Sequence, residues 1–423
     1  MVQIKSQAHR AEGENISREE ALDLLGVKKE TLYTYVSRGW IQSFPLREGR
    51  RHVFSRTDVL RVRARSLANA GICAMAESAM RYGEPIIVSR ITEITPNGPR
   101  YRGRLAVDLA EQGCAFEAVA HWLWTGVWLD DQISWSNVSN FKPAFLGRER
   151  VRTHSDDFIK SLASVVLECG MRGTGTEQSK LAQTLTAAQE IIQVQVGMLG
   201  FLSAKRQFSP VLAGKQLSAS VGRILEADAG PETAATLNAM LVLCADYELT
   251  PASFAARVVA SSGGDLYVSV AAGLCAHSGL LTSQICDKLT YLLSGGTDCR
   301  DLDARLDEVN KFGSTIYGFN PALAPKGDAR AYWMIARAKA LAREKRLPVT
   351  DNIIRFLARV EADFGLYPGL PAGLVTLASA LDLPPKSAAA IWGIGRTAGQ
   401  IAHVIEQRSA GFILRPRAMY VAA

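Results

Sequence analysis

The sequence holds no run approaching eighteen consecutive apolar residues, so no segment reads as a membrane-spanning helix. Its opening, MVQIKSQAHRAEGEN, lacks the apolar stretch and the small-residue cleavage site of a secretory signal, and a cytoplasmic location with no membrane partner is expected. Cysteine is sparse: seven are scattered from Cys73 to Cys299 without a C-x-x-C pair, an odd number that argues for reduced core thiols. Histidine is scarcer still. None of the six (His9, His52, His121, His154, His277, His403) has a partner at zinc-ligand spacing, so no metal site is expected and imidazole chemistry has few residues to draw on.

What is present is a globular composition, 48% hydrophobic and 21% charged over 423 residues, enough for a large core with a small appended domain. The net charge of +7 is uneven, because residues 1–66 hold thirteen Lys/Arg against eight Asp/Glu and so carry +5 of it. A local basic excess fits either a polyanion partner or a solvated surface.

Within that segment, Ser17-Arg18-Glu19-Glu20 reads as a capping box opening a short helix that stops at Gly26. A second helix follows at once, with Leu32, Tyr35 and Val36 on one face and Gly39 at its end. Ile41 to Leu46 and His52-Val53-Phe54 read as a hairpin around the basic turn Arg47-Glu48-Gly49-Arg50-Arg51, and Ser55-Arg56-Thr57-Asp58 opens a further helix. This order resembles the winged helix-turn-helix of MerR-like and excisionase-like domains. The resemblance implies DNA contacts from Lys28, Lys29, Thr31 and Tyr33 on the second helix and from Arg47, Arg50 and Arg51 on the wing. The alternative is an inherited domain that serves packing or assembly.

From about Arg81 the pattern is helical, with apolar periodicity in Asp108 to Trp124, Asp156 to Leu167, Lys180 to Leu199, Ala234 to Cys244, Ile285 to Leu293, Ala329 to Glu344 and Ala388 to Gln407. Only Pro85 to Ile94 and the segment ending at Tyr101 look extended. Several stretches in this body resemble the citrate synthase family. Glu248-Leu249-Thr250-Pro251-Ala252-Ser253-Phe254-Ala255-Ala256-Arg257 is similar to its E-L-x-x-S-T-F-A-A-R segment, Gly395-Arg396-Thr397-Ala398-Gly399-Gln400-Ile401-Ala402-His403 to its G-R-x-A-G-W-I-A-H segment, and Arg415-Pro416-Arg417-Ala418-Met419-Tyr420-Val421 to its R-P-R-A-x-Y-V tail. The expected fold is therefore mainly α: a winged helix-turn-helix over 1–66, then a citrate synthase-like body over 67–423 with a smaller lobe near 300–395. The resemblance implies a dimer that closes over a carboxylate, with acyl-CoA as co-substrate and no permanently bound cofactor.

Joining a thioester's methyl carbon to a ketone needs a carboxylate base, donors for the enolate and ketone oxygens, and cations for the carboxylates. By the resemblance, Asp363 in Glu361-Ala362-Asp363-Phe364 stands at the base position, and Arg330 (in Gly327-Asp328-Ala329-Arg330), Arg396 and Arg415 stand at carboxylate-binding positions, with Arg415 reaching the neighbouring subunit. The imidazoles are missing. The family's D-H-E-L is Asp246-Tyr247-Glu248-Leu249, its S-G-P-L-H-G-G is Ser278-Gly279-Leu280-Leu281-Thr282-Ser283-Gln284, and its G-F-G-H is Gly318-Phe319-Asn320-Pro321. Tyr247, Thr282 and Pro321 thus replace histidines, and a proline side chain donates nothing. The hydroxyls of Tyr247 and Thr282, or Asn320 after a one-residue shift, restore part of the hydrogen bonding at most, and His277 reads as a partly buried packing histidine.

Three readings follow. The first is a pseudoenzyme-like homologue that holds a di- or tricarboxylate or an acyl-CoA and serves as regulator or as partner to an active paralogue. The second is a working C-acyltransferase condensing acyl-CoA with a 2-oxo acid, and the third is a metabolite-sensing DNA-binding regulator.

Overall fold

The computed structural model describes residues 15–45, 52–56, 58–60, 62, 87–129, 133–135, 141, 143–144, 158–174, 180–293, 304, 317–321 and 323–416. The chain divides into two compact units, residues 1–88 with 415–423, and residues 89–414.

The first unit runs β1 (Asn15–Ile16), α1 (Arg18–Leu25), α2 (Lys29–Ser37), β2 (Ser43–Pro45) and β3 (His52–Ser55). Ser17 and Glu20 cap α1 reciprocally: the Glu20 N–H donates to Ser17 Oγ at 3.1 Å and the Ser17 N–H to Glu20 Oε2 at 3.0 Å. Gly26 ends α1 in the left-handed region, φ 61, where its N–H meets the Leu22 carbonyl. β3 lies between β1 and β2, antiparallel to both, with Phe54 opposite Ile16 on one side and Ser43 on the other. The sequence gives no sign of β1, since two residues are too few for alternation to register. Leu32, Ile41, Phe54 and Val59 close around Ala21 as a core of this unit's own. Arg47, Arg50 and Arg51 lie outside the described residues.

The second unit opens with a meander of β4 (Thr92–Thr95), β5 (Gly98–Tyr101) and β6 (Arg104–Leu105). Of the extended stretch expected over Pro85 to Ile94, Pro85 and Ile86 lie outside the described residues, and among the described ones strand begins at Thr92, where β4 starts to pair with β5 opposite Tyr101. Helices follow: α3 (Ala106–Glu111), α4 (Phe116–Thr125), α5 (Phe158–Cys169), α6 (Leu181–Met198), α7 (Leu217–Ile224), α8 (Pro231–Cys244), α9 (Pro251–Ser261), α10 (Leu266–His277), α11 (Gln284–Leu293), α12 (Ala329–Lys345), α13 (Pro348–Phe364), α14 (Leu370–Ala380) and α15 (Ser387–Ala410). The single helix expected over Asp108 to Trp124 is two. Gly113 turns the chain at φ 69, and Asn238 of α8 holds the break by accepting the Phe116 N–H and donating to the Cys114 carbonyl.

Helix α15 organises this unit. It is buried on nearly every side and packs against α4, α8, α9, α10 and α14. Among the described residues no helix is long and apolar enough to cross a membrane.

Candidate functional site

The site forms where α15 meets the last turn of α8. A helix leaves its final carbonyls without intrahelical donors, and here other elements supply them. The buried Tyr101 hydroxyl at the end of β5 lies 3.1 Å from the Val242 carbonyl and 3.3 Å from those of Leu243 and Asp246. Arg330, at the start of α12, donates from Nη1 to the Leu243 carbonyl at 3.2 Å, and Arg396 of α15 donates from Nε to the Cys244 carbonyl at 3.2 Å. Two positive groups thus meet the negative end of a helix dipole.

Glycine makes the approach possible. A Cβ at Gly395 would lie 2.7 Å from Cys244 Cβ, and one at Gly399, a turn further on, 2.1 Å from Asp246 Oδ1. With no side chain there, the Gly399 N–H donates to the Ala245 carbonyl at 2.8 Å, joining one helix to the other.

The two guanidinium groups differ in their partners. Arg330 forms a two-pronged pair with Asp328, Nε to Oδ1 at 3.0 Å and Nη2 to Oδ2 at 2.6 Å, and both residues are buried. Burial alone would favour a neutral Arg330, but Asp328 outweighs it and holds the group protonated. Arg396, equally buried, has no such carboxylate, and its Nη1 has no hydrogen-bond partner among the described residues. Burial lowers its pKa and the neighbouring Arg330 lowers it further, while Asp246 acts in the other direction. Tyr247 lies between them, its ring centroid 4.1 Å from Arg330 Cζ and 6.0 Å from Arg396 Cζ.

Behind Tyr247 runs a buried polar chain. Asp246 Oδ2 accepts the Glu248 N–H at 3.2 Å and lies 3.4 Å from His403 Nε2. His403 Nδ1 stands 3.3 Å from Arg257 Nη1, and Arg257 pairs with Glu406 at 2.6 Å and donates to Gln407 at 3.0 Å. Burial pushes the Asp246 carboxyl up, yet His403 and Arg396 together hold it below its usual range.

The positions at which the family resemblance implies histidines offer little. The Thr282 hydroxyl donates to the His277 carbonyl at 2.6 Å, with the Gly279 carbonyl at 2.9 Å, so it is engaged in its own turn. Pro321 is half-buried. Asn320 accepts the Tyr367 N–H at 2.8 Å and donates its own N–H to the Tyr367 carbonyl, and its side chain therefore ties two loops together. Asp363 is exposed at the end of α13 and pairs with Arg359 at 3.4 Å. His277 is fully rather than partly buried, because the 278–283 turn folds back on its carbonyl and Gly393 of α15 leaves room beside its ring.

The structure therefore brings together Tyr247, Arg330 and Arg396. Arg415 is exposed and belongs to the unit that contains residues 1–88. Lys28, which precedes α2, and Lys29 and Tyr33 on it are exposed, and Thr31 is half-buried. Sequence reasoning missed Asp328, Asp246 and His403; all three stand inside the matched motifs, where the signal was available.

A family model described as "Citrate synthase, C-terminal domain" matches residues 81–417. Among curated relatives, the Citrate/2-methylcitrate synthase of Bacillus subtilis is 31% identical over 43% of this chain, which spans 49% of that protein. The Citrate synthase of Mycolicibacterium smegmatis is 23% identical over 80% of this chain and 93% of its own length. Among solved structures, a ternary complex of carboxymethyl coenzyme A and oxaloacetate with citrate synthase from Thermoplasma acidophilum has a TM-score of 0.71 at 18% identity, covering 82% of this chain and 96% of that one. The fold of the body is thus the mainly helical citrate synthase fold.

Proposed function

The chain belongs to the citrate synthase family, and on that premise we propose that it is a catalytically reduced member that binds a di- or tricarboxylate metabolite, with acyl-CoA as a second ligand, and acts as a regulatory or partner subunit in a dimer. The observation that carries this reading is the buried pair Arg330 and Arg396 flanking Tyr247, with Thr282 engaged in its own turn and no side-chain donor at Pro321. A guanidinium pair suits carboxylates, whereas removing one oxyanion donor costs about 10² to 10³ in rate. In this reading a smaller lobe near residues 300–395 closes on the ligand, Arg415 is supplied to the neighbouring subunit's site, and Asp363 is the surviving base.

The test combines thermal unfolding with oxaloacetate or citrate and a thiol-release assay with acetyl-CoA and propionyl-CoA. A ligand that binds only the folded state raises the midpoint. Stabilisation with negligible thiol release is expected. Rapid release by the parent, abolished in Asp363→Asn, overturns the reading in favour of an active synthase.

A second reading concerns the first unit, whose separate core and exposed Lys28 and Lys29 at the start of α2 suit phosphate contacts of a DNA-binding domain. A mobility shift on upstream DNA, weakened by salt and by Lys28→Ala with Arg51→Ala, is the expected result. No shift at low salt removes it.

A further inference from the structure

The second unit is continuous with the first at two places, since the chain enters it at Ser89 and leaves it at Leu414. Both crossings are tied down by neighbouring residues of α15. Near the entry, the Arg90 N–H donates to Glu406 Oε1 at 2.8 Å, and Ser89 bonds to the same carboxylate through its side chain. Near the exit, Gln407 Nε2 donates to the Phe412 carbonyl at 2.9 Å, and the Leu414 N–H donates to Ser261 Oγ of α9 at 3.0 Å.

One buried side chain joins these anchors. Arg257 of α9, 1% exposed, donates from Nη1 to Glu406 Oε2 at 2.6 Å and from Nε to Gln407 Oε1 at 3.0 Å, and Ser261 stands one turn further along its helix. Burial pushes the Glu406 carboxyl up, but the Arg90 N–H and Arg257 outweigh it and hold the group below its usual range. Arg257 Nη1 also lies 3.3 Å from His403 Nδ1. A guanidinium only donates, so Nδ1 is the acceptor and the imidazole proton sits on Nε2, which faces Asp246 Oδ2 at 3.4 Å. Asp246 in turn accepts the Glu248 N–H and so holds Glu248 at φ 58, a left-handed conformation that a non-glycine residue keeps only when its surroundings enforce it. Tyr247 is the residue between them. The segment that faces Arg330 and Arg396 is therefore strained, and the contact that restrains it is the far end of the Arg257 chain.

We propose that Arg257 couples the carboxylate site to both crossings, so that an occupied Arg330 and Arg396 pair tightens the segments that lead into the first unit. The proposal rests on the carboxylate-binding reading above and adds its regulation. A ligand that draws Tyr247 toward the guanidinium groups shifts Asp246, and His403 with it. Arg257 follows, because its Nη1 serves His403 and Glu406 at once. Glu406 and Gln407 are adjacent on α15, so one movement of the guanidinium reaches the entry and the exit together. A buried network of this kind transmits a shift because its members cannot turn to water for a substitute partner. Coupling is reciprocal, so slackening either crossing weakens the ligand by the same factor.

The test uses the full chain, oxaloacetate and citrate as probes, and amide hydrogen exchange as the readout. Thermal unfolding first establishes which acid binds. Saturation with that acid is expected to slow exchange of the Arg90 and Leu414 amides about fivefold or more beyond the slowing of the α7 amides, which the Arg257 chain does not touch. Arg257→Met and Glu406→Leu each bring this excess within about twofold while the acid still raises the midpoint. Glu406→Gln, which keeps an oxygen for the Arg90 N–H and for Arg257, retains part of the excess. A purely structural role of Arg257 would lower the midpoints of the variants without touching the ligand-dependent excess. Circular dichroism establishes that each variant is folded, and the comparison of amides within the parent decides the matter even if neither Arg257→Met nor Glu406→Leu folds. Crossing amides that respond no more than those of α7, or an excess that survives in a folded Arg257→Met or Glu406→Leu, overturns the coupling and leaves carboxylate binding standing. A parent that neither acid stabilises overturns carboxylate binding, and the coupling with it.

Discussion

The guanidinium of Arg330 lies 4.1 Å over the ring of Tyr247, the residue that the resemblance of Asp246-Tyr247-Glu248-Leu249 to D-H-E-L sets at a histidine position. Its ring presents a π face to a cation. Tyr247→Phe keeps that face and is expected to unfold at nearly the parental urea concentration. Tyr247→Ala loses ring and packing together, about 2 to 4 kcal/mol. Equal losses in both variants would show that the phenol hydroxyl, rather than the ring, carries the stabilisation.

Asp328 compensates Arg330 in a place neither charge can leave. Asp328→Asn is expected to cost about 3 to 5 kcal/mol, since it strands a buried cation, whereas Asp328→Leu with Arg330→Met removes both charges and costs much less. Chemical denaturation of the single and double variants measures the difference.

Gly399 and Gly411 allow a contrast between crowding and backbone strain. Gly399→Ala drives a methyl to 2.1 Å of Asp246 Oδ1 and 2.6 Å of the Ala245 carbonyl, and it is expected to lower the melting midpoint severely and abolish carboxylate-dependent stabilisation. Gly411, at φ 69 with nothing within 4 Å of its virtual Cβ, is expected to lose only about 1 kcal/mol as Ala. A mild Gly399→Ala, with ligand stabilisation intact, would mean that the two helices can separate without disturbing Arg396.

Two buried groups give opposite pH signatures. The folded protein holds His277 down to about 3, below its ordinary 6.5. Its contribution is full above pH 6.5 and is lost as pH falls toward 3, because the unfolded chain takes up the proton first. Burial raises Glu117 to about 7 from its ordinary 4.5, against the Leu217 N–H that it accepts. Its contribution is full below pH 4.5 and is lost as pH rises through 7, on the order of 3 kcal/mol. Urea midpoints across this range should lose their acid slope in His277→Phe and their neutral slope in Glu117→Gln.

Helix positions were the most legible part of the sequence, because periodicity reports burial: α12 and α15 begin and end within a few residues of where the spacing places them. Periodicity was blind to Gly113, whose break depends on Asn238 far away in sequence. Motif matching located Arg330 and Arg396 but not what distinguishes them. The enclosure of His277 arises from contacts between α10, the 278–283 turn and α15, and no pattern local to one segment encodes such contacts or shows that Arg396 Nη1 has no partner among the described residues.

The last turn of α8 gives its oxygens to Tyr101, Arg330, Arg396 and the Gly399 amide, so its end is finished by the protein itself instead of by solvent. On the carboxylate-binding reading, an anion entering there would compete with peptide dipoles already in place. Binding would then be an exchange of one oxygen for another, with selection falling on the charge density of the incoming atom more than on the number of contacts it makes.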